Sequence, residues 1–434
     1  MQPLQSKHVT VMGLGRFGGG IAVARWLVEQ GARVLVTDRD PAEKLADSIK
    51  SLDGLAVQWQ LGGHRSEDFT DTDLVVASPA VPLDNPFLAA ARQASVPITT
   101  EIKLFIERCP AAILGVTGTK GKSTTTAMLG SILSTRFRTW VGGNIGRSLL
   151  SDLPNIDKND PVVLELSSYM LEHLRPMAWS PHVAVVTMIA SDHLEWHGSF
   201  EAYTRAKRTI VQFQRADDVA VINGNDAGAK ELATAAGGKT AFFGGPESRP
   251  FELALPGTHN QSNAQAAYSA ASVLGISWEQ AQESLRHFVG LPHRLQQVYE
   301  SAGVRYFNDS IATIPEAAIA ALNAFAPRTV IQIVGGYDKH LPFTTLSAAL
   351  AERAKAALCI GTTGPTIAQM MAQSALPSPA PAYSCGDLPT AMRLARQIAV
   401  AGDCILLSPG CASYDQFVNF EQRGEAFAKL AREA

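Results

Sequence analysis

A short glycine-rich segment constrains the fold of this chain more than any other. The segment GVTGTKGKSTTT (residues 115–126) follows the apolar run at 112–114 and precedes a helix-forming stretch. Glycines at such a strand-to-helix turn let backbone N–H groups point at phosphate oxygens, and the dipole of the helix N-terminus favours the anion. Lys122 then reaches the terminal phosphates of a nucleotide, and the hydroxyl of Ser123 binds Mg²⁺. The sequence therefore predicts a strand, a phosphate-binding loop and a helix.

The loop is shorter than the usual nucleotide-binding pattern. That pattern has a glycine six positions before the lysine, where this chain has Val116. A glycine- and threonine-rich loop that binds nothing is the alternative, but the strand, loop and helix signals agree on ATP binding. The predicted ATP-binding residues of the loop are Gly118, Thr119, Lys120, Gly121, Lys122, Ser123 and Thr124.

Composition excludes several classes of protein. The chain has 434 residues, enough for about three domains, with 46% hydrophobic and 18% charged residues, as in an ordinary globular protein. A net charge of −3 and the absence of a basic run argue against a nucleic-acid surface. The five cysteines have no CxxC spacing, which favours free thiols in a reducing compartment. Without a signal peptide or membrane-spanning run in the sequence, we expect a cytoplasmic protein with no membrane partner.

Short apolar runs alternate with helical patterns along the chain, which predicts an α/β fold with mostly parallel sheets. We expect domain boundaries near residues 107 and 292, giving domains 1–107, 108–291 and 292–434. A helix is expected over 18–30, and a last helix from about Gln416. The predicted strands are 8–12, 33–37, 74–78, 112–114, 162–166, 183–189, 219–222, 304–308, 329–334, 357–360 and 404–408.

A second glycine-rich turn lies near the N-terminus. The segment GLGRFG (residues 13–18) follows a strand, and Asp38 ends the next strand, 20 residues after Gly18. This is the context of a dinucleotide site, in which a diphosphate sits on the helix N-terminus and the acid holds a polar group. A nucleotide sugar such as a UDP-sugar satisfies both requirements. Because an ATP-type loop follows a hundred residues later, we favour the UDP-sugar over NAD.

Further motifs follow in an order and spacing that resemble the Mur ligases of peptidoglycan synthesis, over essentially the whole chain. They are LELSSY (164–169), SDHL (191–194), YTRAK (203–207), HNQSN (259–263), GLPHR (290–294), NDS (308–310), GGYDK (335–339), LSPGCASYDQF (407–417) and FEQRG (420–424). The resemblance implies an N-terminal Rossmann-like domain for the UDP-sugar, a central P-loop ATPase domain and a Rossmann-like C-terminal domain for glutamate. The implied enzyme is a monomer that joins glutamate to UDP-N-acetylmuramoyl-L-alanine, using ATP and Mg²⁺ and passing through an acyl phosphate.

The resemblance also assigns residues to each substrate. It implies metal ligands at Ser123, Glu165 and His193, and catalytic roles for Lys122, His193 and Lys207, the last as a carbamylated lysine. The further ATP contacts are Asn263, Arg294 and Asp309. The UDP-sugar contacts are Gly15, Arg16, Phe17, Gly18, Asp38 and Asn144. The glutamate contacts are Thr313, Lys339, Ser413 and Phe420.

One departure from the family pattern bears on the substrate. Where many glutamate-adding members read DSKATN, this chain reads DSIATI over residues 309–314, so Ile311 replaces a lysine expected near glutamate. Losing a cation beside an anionic substrate changes its affinity or orientation. We expect D-glutamate as the substrate, with L-glutamate as the alternative. A folate-type polyglutamate ligase, a nucleotide-binding sensor without turnover and an NAD dehydrogenase are the remaining alternatives.

Overall fold

Three sheets follow one another along the chain in the computed structural model, which describes residues 4–14, 19–255 and 257–433. The predicted α/β architecture is confirmed. By its internal contacts the chain divides into two compact units. The first comprises Met1–Pro250 and Ser262–Ser284, and the second Phe251–Gln261 and Leu285–Ala434. The domain boundaries at 107 and 292 stay predictions.

The first sheet is parallel throughout, with the strand order β3-β2-β1-β4-β5 among the described residues. Its strands are β1 (His8–Met12), β2 (Arg33–Asp38), β3 (Val57–Leu61), β4 (Leu74–Ala77) and β5 (Ile98–Thr99). The helices are α1 (Gly19–Glu29), α2 (Ala46–Lys50), α3 (Glu67–Thr70), α4 (Pro86–Gln93) and α5 (Glu101–Ile106), with a 3₁₀ turn at Ala42–Leu45. Met12 pairs with both Thr37 and Ala77, so the carboxyl ends of three adjacent strands share one edge.

The second sheet is also parallel, with the order β11-β10-β9-β6-β8-β7 in the described part of the chain. Its strands are β6 (Ile113–Thr117), β7 (Trp140–Gly143), β8 (Val162–Glu165), β9 (Val183–Val186), β10 (Val219–Asn223) and β11 (Lys239–Phe243). Around it lie α6 (Lys122–Leu133), α7 (Ser168–Leu174), α8 (Leu194–His197), α9 (Phe200–Gln212), α10 (Ala227–Ala233), α11 (Thr258–Ser272) and α12 (Trp278–Arg286), with 3₁₀ turns at Leu150–Asn155 and Arg175–Met177. The central strands β6, β8 and β9 are buried at every position, which explains their continuous apolar sequences.

The third sheet has the order β12-β13-β17-β14-β15-β16 among the described residues and is parallel except for β12. Its strands are β12 (Gln296–Ser301), β13 (Val304–Asn308), β14 (Val330–Gly335), β15 (Ala356–Ile360), β16 (Ala382–Gly386) and β17 (Cys404–Leu407). Its helices are α13 (Pro315–Leu322), α14 (Thr344–Arg353), α15 (Gly364–Ala372), α16 (Leu388–Ile398) and α17 (Phe420–Arg432). Separate apolar clusters cover its two faces.

The last helix begins later than the sequence predicts. Helix α17 starts at Phe420, not near Gln416, because the side chain of Asn419 accepts the backbone N–H of Gln422 and caps the first turn. Turns and bends occupy residues 413–419, between β17 and α17. In the described part of the chain, no helix is both long and apolar enough to cross a membrane.

Candidate active site

The loop between β6 and α6 needs glycine at two positions. Gly118 and Gly121 have φ values of 151° and 84°, which residues with a Cβ rarely adopt. A Cβ at Gly118 would overlap the hydroxyl of Thr187, and a Cβ at Gly121 would lie 2.5 Å from the side-chain oxygen of Asn263. The hydroxyl of Thr125 donates to that oxygen at 3.3 Å, which places the predicted Asn263 against the loop.

Hydrogen bonds from the segment after β9 hold this loop. The N–H of Thr119 donates to the carbonyl of Met188 at 2.7 Å, and its hydroxyl lies 2.8 Å from the hydroxyl oxygen of Tyr203. The hydroxyl of Thr187 donates to the carbonyl of Lys120 at 2.6 Å. The ammonium of Lys122 folds back onto the carbonyl of Thr119, 3.0 Å away. Hydrogen bonds within the protein therefore fix the backbone of the loop.

Helix α6 presents its N-terminus to this loop. The helix has 12 residues, begins at Lys122, has no acidic residue in its first turn, and no side chain caps it. Its dipole and the N–H groups of its first turn favour an anion at that end. Ser123 and Thr124 lie in the first turn, beside the predicted phosphate position.

Lys207 on α9 is 1% exposed and points at the loop. Its ammonium nitrogen donates to the carbonyl of Gly118 at 2.8 Å and to the hydroxyl of Thr117 at 3.3 Å. Burial lowers the pKa of Lys207 well below its usual value, and the charge of Lys122 lowers it further, against the raising effects of Asp192 and Glu165. A lysine in this environment favours its neutral, nucleophilic form.

Glu165 ends β8 next to the loop strand β6 and is 1% exposed. Its Oε1 accepts the side-chain amide of Asn144 at 2.9 Å, whereas its Oε2 is buried without a hydrogen-bond partner. A buried carboxylate oxygen without a partner is costly unless a cation or donor completes it. Glu165 therefore fits a metal ligand. Asn144, which the sequence assigns to the UDP-sugar, orients this carboxylate in the structure.

His193 lies in the turn before α8 with φ at 53°. Its ring centroid is 5.0 Å from that of Tyr169, and carboxylate oxygens of Asp192 and Glu195 lie 3.7 Å from its ring nitrogens. Among the described residues, no group of three or more His, Cys, Asp and Glu side chains forms a metal site. A metal held here thus takes the rest of its ligands from hydroxyl, phosphate or water oxygens, as Mg²⁺ commonly does.

The N-terminal sheet carries the acid predicted to hold the sugar nucleotide. Asp38 accepts the N–H of Leu14 with Oδ2 and that of Asp40 with Oδ1, both at 2.9 Å. It thereby ties Leu14, at the start of the glycine-rich segment, to the end of β2. The other predicted contacts, Gly15, Arg16, Phe17 and Gly18, lie outside the described residues.

In the second unit, the predicted glutamate contacts lie on segments that follow three adjacent strands, β13, β17 and β14, and at the start of α17. They are Thr313, Lys339, Ser413 and Phe420. Ser310 donates its hydroxyl to the carbonyl of Phe420 at 2.8 Å, and the N–H of Tyr337 donates to the carbonyl of Ala412 at 2.9 Å. The structure thus brings the four segments together, at the edge where parallel sheets bind ligands.

Arg294 and Asp309, predicted to contact ATP, also lie in the second unit. Asp309 is 5% exposed and accepts the N–H of Leu295 at 3.1 Å and the hydroxyl of Ser408 at 2.7 Å. Burial raises its pKa to about 7, against the lowering effects of both hydrogen bonds and of Arg294. The Nε of Arg294 is buried without a hydrogen-bond partner.

Three family models match the chain in succession. Residues 7–100 match the Mur ligase MurD-like N-terminal domain, residues 116–249 the Mur ligase middle domain, and residues 293–411 the Mur ligase glutamate ligase domain. The chain belongs to the Mur ligase family.

Full-length relatives agree with this assignment. The Mur ligase is 42% identical to a protein of Roseiflexus sp. strain RS-1, over 98% of each chain. It is 40% identical to a protein of Anaeromyxobacter dehalogenans strain 2CP-C, over 99% of this chain and 98% of the other. Both relatives are named UDP-N-acetylmuramoylalanine–D-glutamate ligase.

Solved Mur ligase structures share the fold. The UDP-N-acetylmuramate-alanine ligase MurC from Thermotoga maritima matches with a TM-score of 0.64 at 22% identity, over 98% of this chain and 99% of the other. MurF from Acinetobacter baumannii matches with a TM-score of 0.60 at 17% identity, over 99% and 92% of the two chains.

Sequence reasoning missed residues of the Mur ligase site that act on the loop or through buried contacts. Thr187 packs on Gly118, and the hydroxyl of Tyr203 is hydrogen-bonded to that of Thr119. His197 forms a hydrogen bond with the hydroxyl of Ser168. Burial and neighbouring cations lower the pKa of His197 to about 4, so its imidazole is neutral near pH 7. Tyr203 belongs to the motif that singled out Lys207, which was the available signal. Thr187 carried no signal in the sequence.

Proposed function

We propose that this Mur ligase joins D-glutamate to UDP-N-acetylmuramoyl-L-alanine at the expense of ATP, in peptidoglycan synthesis. The observation that carries the proposal is the grouping of a glycine-rich phosphate loop, a buried lysine and a buried, half-satisfied carboxylate. Full-length relatives named for the same reaction support the choice of substrates. The reaction is amide-bond formation by an acid–amino-acid ligase.

The proposed chemistry has two steps. An oxygen of the alanine carboxylate attacks the γ-phosphorus of ATP, and ADP leaves, which produces an acyl phosphate. The glutamate amine then attacks the acyl carbon, phosphate leaves, and the nitrogen loses a proton. Lys122 stabilises the negative charge of the transferred phosphoryl group, and the loop N–H groups and the α6 dipole hold the remaining phosphates.

A magnesium ion fits the donor set beside the loop. Glu165 supplies the buried oxygen that lacks a partner, and Ser123 and His193 are the other proposed ligands. The ion would neutralise phosphate charge. Asn144 fixes the orientation of the Glu165 carboxylate through its 2.9 Å hydrogen bond.

Lys207 is proposed to carry a carbamate. Its lowered pKa provides the neutral amine that attacks carbon dioxide and then releases a proton, so that the product places an anion beside the loop. A carbamate oxygen could then join Glu165 in holding metal and phosphate. The neighbouring charge of Lys122 favours this anion.

The UDP-sugar and glutamate are assigned to the first and third sheets, and the further ATP contacts to residues around the second and third sheets. Asp38 and the glycine-rich segment 13–18 hold the UDP-sugar, while Asn263, Arg294 and Asp309 contact ATP. The exposed ammonium of Lys339 pairs with a glutamate carboxylate, Thr313 and Ser413 donate hydrogen bonds, and Phe420 forms an apolar wall. We further infer a cytoplasmic monomer, in keeping with the five free cysteines.

Omission of single substrates tests this proposal. Phosphate release from ATP should require Mg²⁺, the UDP-sugar and glutamate together, and Lys122→Ala should abolish it while the far-UV circular dichroism remains unchanged. Folate-stimulated release without the UDP-sugar would identify a folate ligase instead. UDP-sugar binding without turnover would identify a sensor, and quenching of NADH fluorescence a dehydrogenase.

A further inference from the structure

Arg423, in the first turns of α17, is 1% exposed although its guanidinium carries a charge. Arginine is rarely buried to this extent unless an acid pairs with it. Here each hydrogen bond of the guanidinium goes to a neutral acceptor, a hydroxyl or a backbone carbonyl. The proposed reaction gives Arg423 no role that would explain why this charge is buried.

The guanidinium joins two of the glutamate-site segments. Its Nε and Nη2 donate to the hydroxyl and the carbonyl of Ser310, both at 2.9 Å. Its Nη1 donates to the carbonyls of Cys411 at 3.1 Å and Ala412 at 3.2 Å. Ser310 stands three residues before Thr313, and Ala412 directly precedes Ser413.

The two other segments also meet at Arg423. A Cβ added to Gly336, which stands three residues before Lys339, would lie 3.2 Å from Nη1, so the backbone there approaches the guanidinium closely. Phe420 begins the helix that carries Arg423, and its carbonyl accepts the Ser310 hydroxyl that Nε contacts. The side chain of Arg423 therefore contacts three of the segments with a predicted glutamate contact, and it is linked to Phe420 by hydrogen bonds through Ser310.

The charge itself calls for an explanation, because burying it is unfavourable and a neutral side chain could bridge some of the same carbonyls. Burial lowers the pKa of Arg423 to about 10, so the side chain remains charged at neutral pH. Asp415 acts on it through space, but no ion pair of the described residues includes Arg423. A buried positive charge attracts anions strongly because the surrounding dielectric is low. Glutamate brings two carboxylates to these segments.

We propose that Arg423 is a positioning residue of the amino-acid site, which holds the four glutamate-binding segments in register and supplies a positive field for the glutamate carboxylates. This inference rests on the proposed function, since it takes glutamate as the ligand of those segments. Arg423 does not touch the reacting atoms. Because its hydrogen bonds go to the segments with predicted glutamate contacts, its loss should affect glutamate far more than ATP or the UDP-sugar.

The test compares Michaelis constants for the three substrates in Arg423→Met, Arg423→Lys and a control. Arg396→Met is the matched control, because Arg396 donates to the carbonyl of Leu430 near the far end of the same helix. We expect Arg423→Met to raise the KM for glutamate by about tenfold or more and to change the KM for ATP and for the UDP-sugar by less than about twofold. The glutamate KM of Arg423→Lys should lie between those of the wild type and Arg423→Met, because lysine keeps the charge but loses the fork of donors.

Varying the ionic strength distinguishes the effect of the Arg423 charge on glutamate binding from its role in holding the segments together. The glutamate KM of the wild-type enzyme should rise with added salt more steeply than that of Arg423→Met. If Arg423→Met does not unfold cooperatively, it is not properly folded, and only Arg423→Lys is then compared with the wild type and the control.

Two outcomes would overturn the inference. One is a folded Arg423→Lys or Arg423→Met with the glutamate KM of the Arg396→Met control; the other is an equal rise in all three KM values, which indicates general loss of structure. A wild-type enzyme without phosphate release would overturn the proposed function, and this inference with it.

Discussion

Buried ionisable side chains mark the working parts of this Mur ligase at the scale of single residues. Lys207, Glu165, Asp309 and Arg423 are all 5% exposed or less, and none is enclosed in a simple ion pair. Desolvation of a charged group is unfavourable, so such residues persist where a ligand, a modification or a loop needs them. Lys207 and Asp309 each support a separate experiment.

Lys207 should react with carbon dioxide. Intact-mass measurement of the native enzyme in bicarbonate buffer should show the added mass of one CO₂, and acid treatment should remove it, since carbamates decompose on protonation. Lys207→Ala should lose the modification and nearly all ligase activity. Lys230→Ala, on the exposed side of α10, is the control and should keep both. An unmodified but fully active wild-type enzyme would remove the carbamate from the account.

Asp309 should make stability fall as pH rises. Its pKa is about 7 in the folded protein and near 3.8 when unfolded, so between these values the folded state holds a proton that the unfolded state has released. This contribution is fully present below the unfolded value and is lost as pH rises through the folded value. Asp309→Asn should remove it, so that urea unfolding free energies at about pH 5 and about pH 8 differ less than in wild type, by on the order of 2 kcal/mol. An unchanged pH difference would contradict the assignment.

At the scale of the elements, the phosphate loop depends on close packing against the segment after β9. Gly118 and Gly63 have nearly the same φ, 151° and 150°, but a Cβ at Gly118 would overlap Thr187, whereas one at Gly63 would meet nothing within 4 Å. Gly118→Ala should therefore weaken ATP binding at least tenfold beyond any effect of Gly63→Ala, which carries only the backbone strain. Fluorescent-nucleotide titration of both variants measures the difference. Equal losses would mean that strain, and not the overlap, limits the loop.

The elements differ in how well the sequence predicts them. Strands β1 and β13 have the predicted bounds, and β6, β8 and β9 lie where continuous apolar runs indicated buried strands. The edge strands β3 and β16 were missed because their exposed positions break the apolar pattern. The edge strand β7 was missed because it is four residues long and half of it is glycine. The last helix was placed too early because the capping role of Asn419 depends on the bond to Gln422, which the sequence pattern did not single out.

At the scale of the whole molecule, residues in recognisable motifs were placed on the correct elements, but their partners were not predicted. Lys122 and Lys207 meet at one loop, as the charge of one acts on the other. Two features of the site could not be foreseen from the sequence. The burial of Arg423 depends on contacts with Ser310, which is more than 100 residues away along the chain. The unpaired oxygen of Glu165 depends on the burial of the end of β8. The roles of the individual site residues stay proposals.

The preference between D- and L-glutamate is a property of the complete enzyme. Ile311 is apolar where the family pattern predicts a lysine, so Ile311→Lys should change the KM for glutamate or the preference between its enantiomers. Steady-state kinetics with D- and L-glutamate measure both effects. Identical constants in the variant and the wild type would remove this position from the argument.

The central claim is most directly tested by product formation from ATP, Mg²⁺ and UDP-N-acetylmuramoyl-L-alanine with D-glutamate or L-glutamate as the added amino acid. Chromatography and mass spectrometry of the UDP-linked product, together with phosphate release, provide the readout. The account predicts one phosphate released per amide formed with D-glutamate and little product with L-glutamate. A preference for L-glutamate, or no product with either enantiomer, would contradict it.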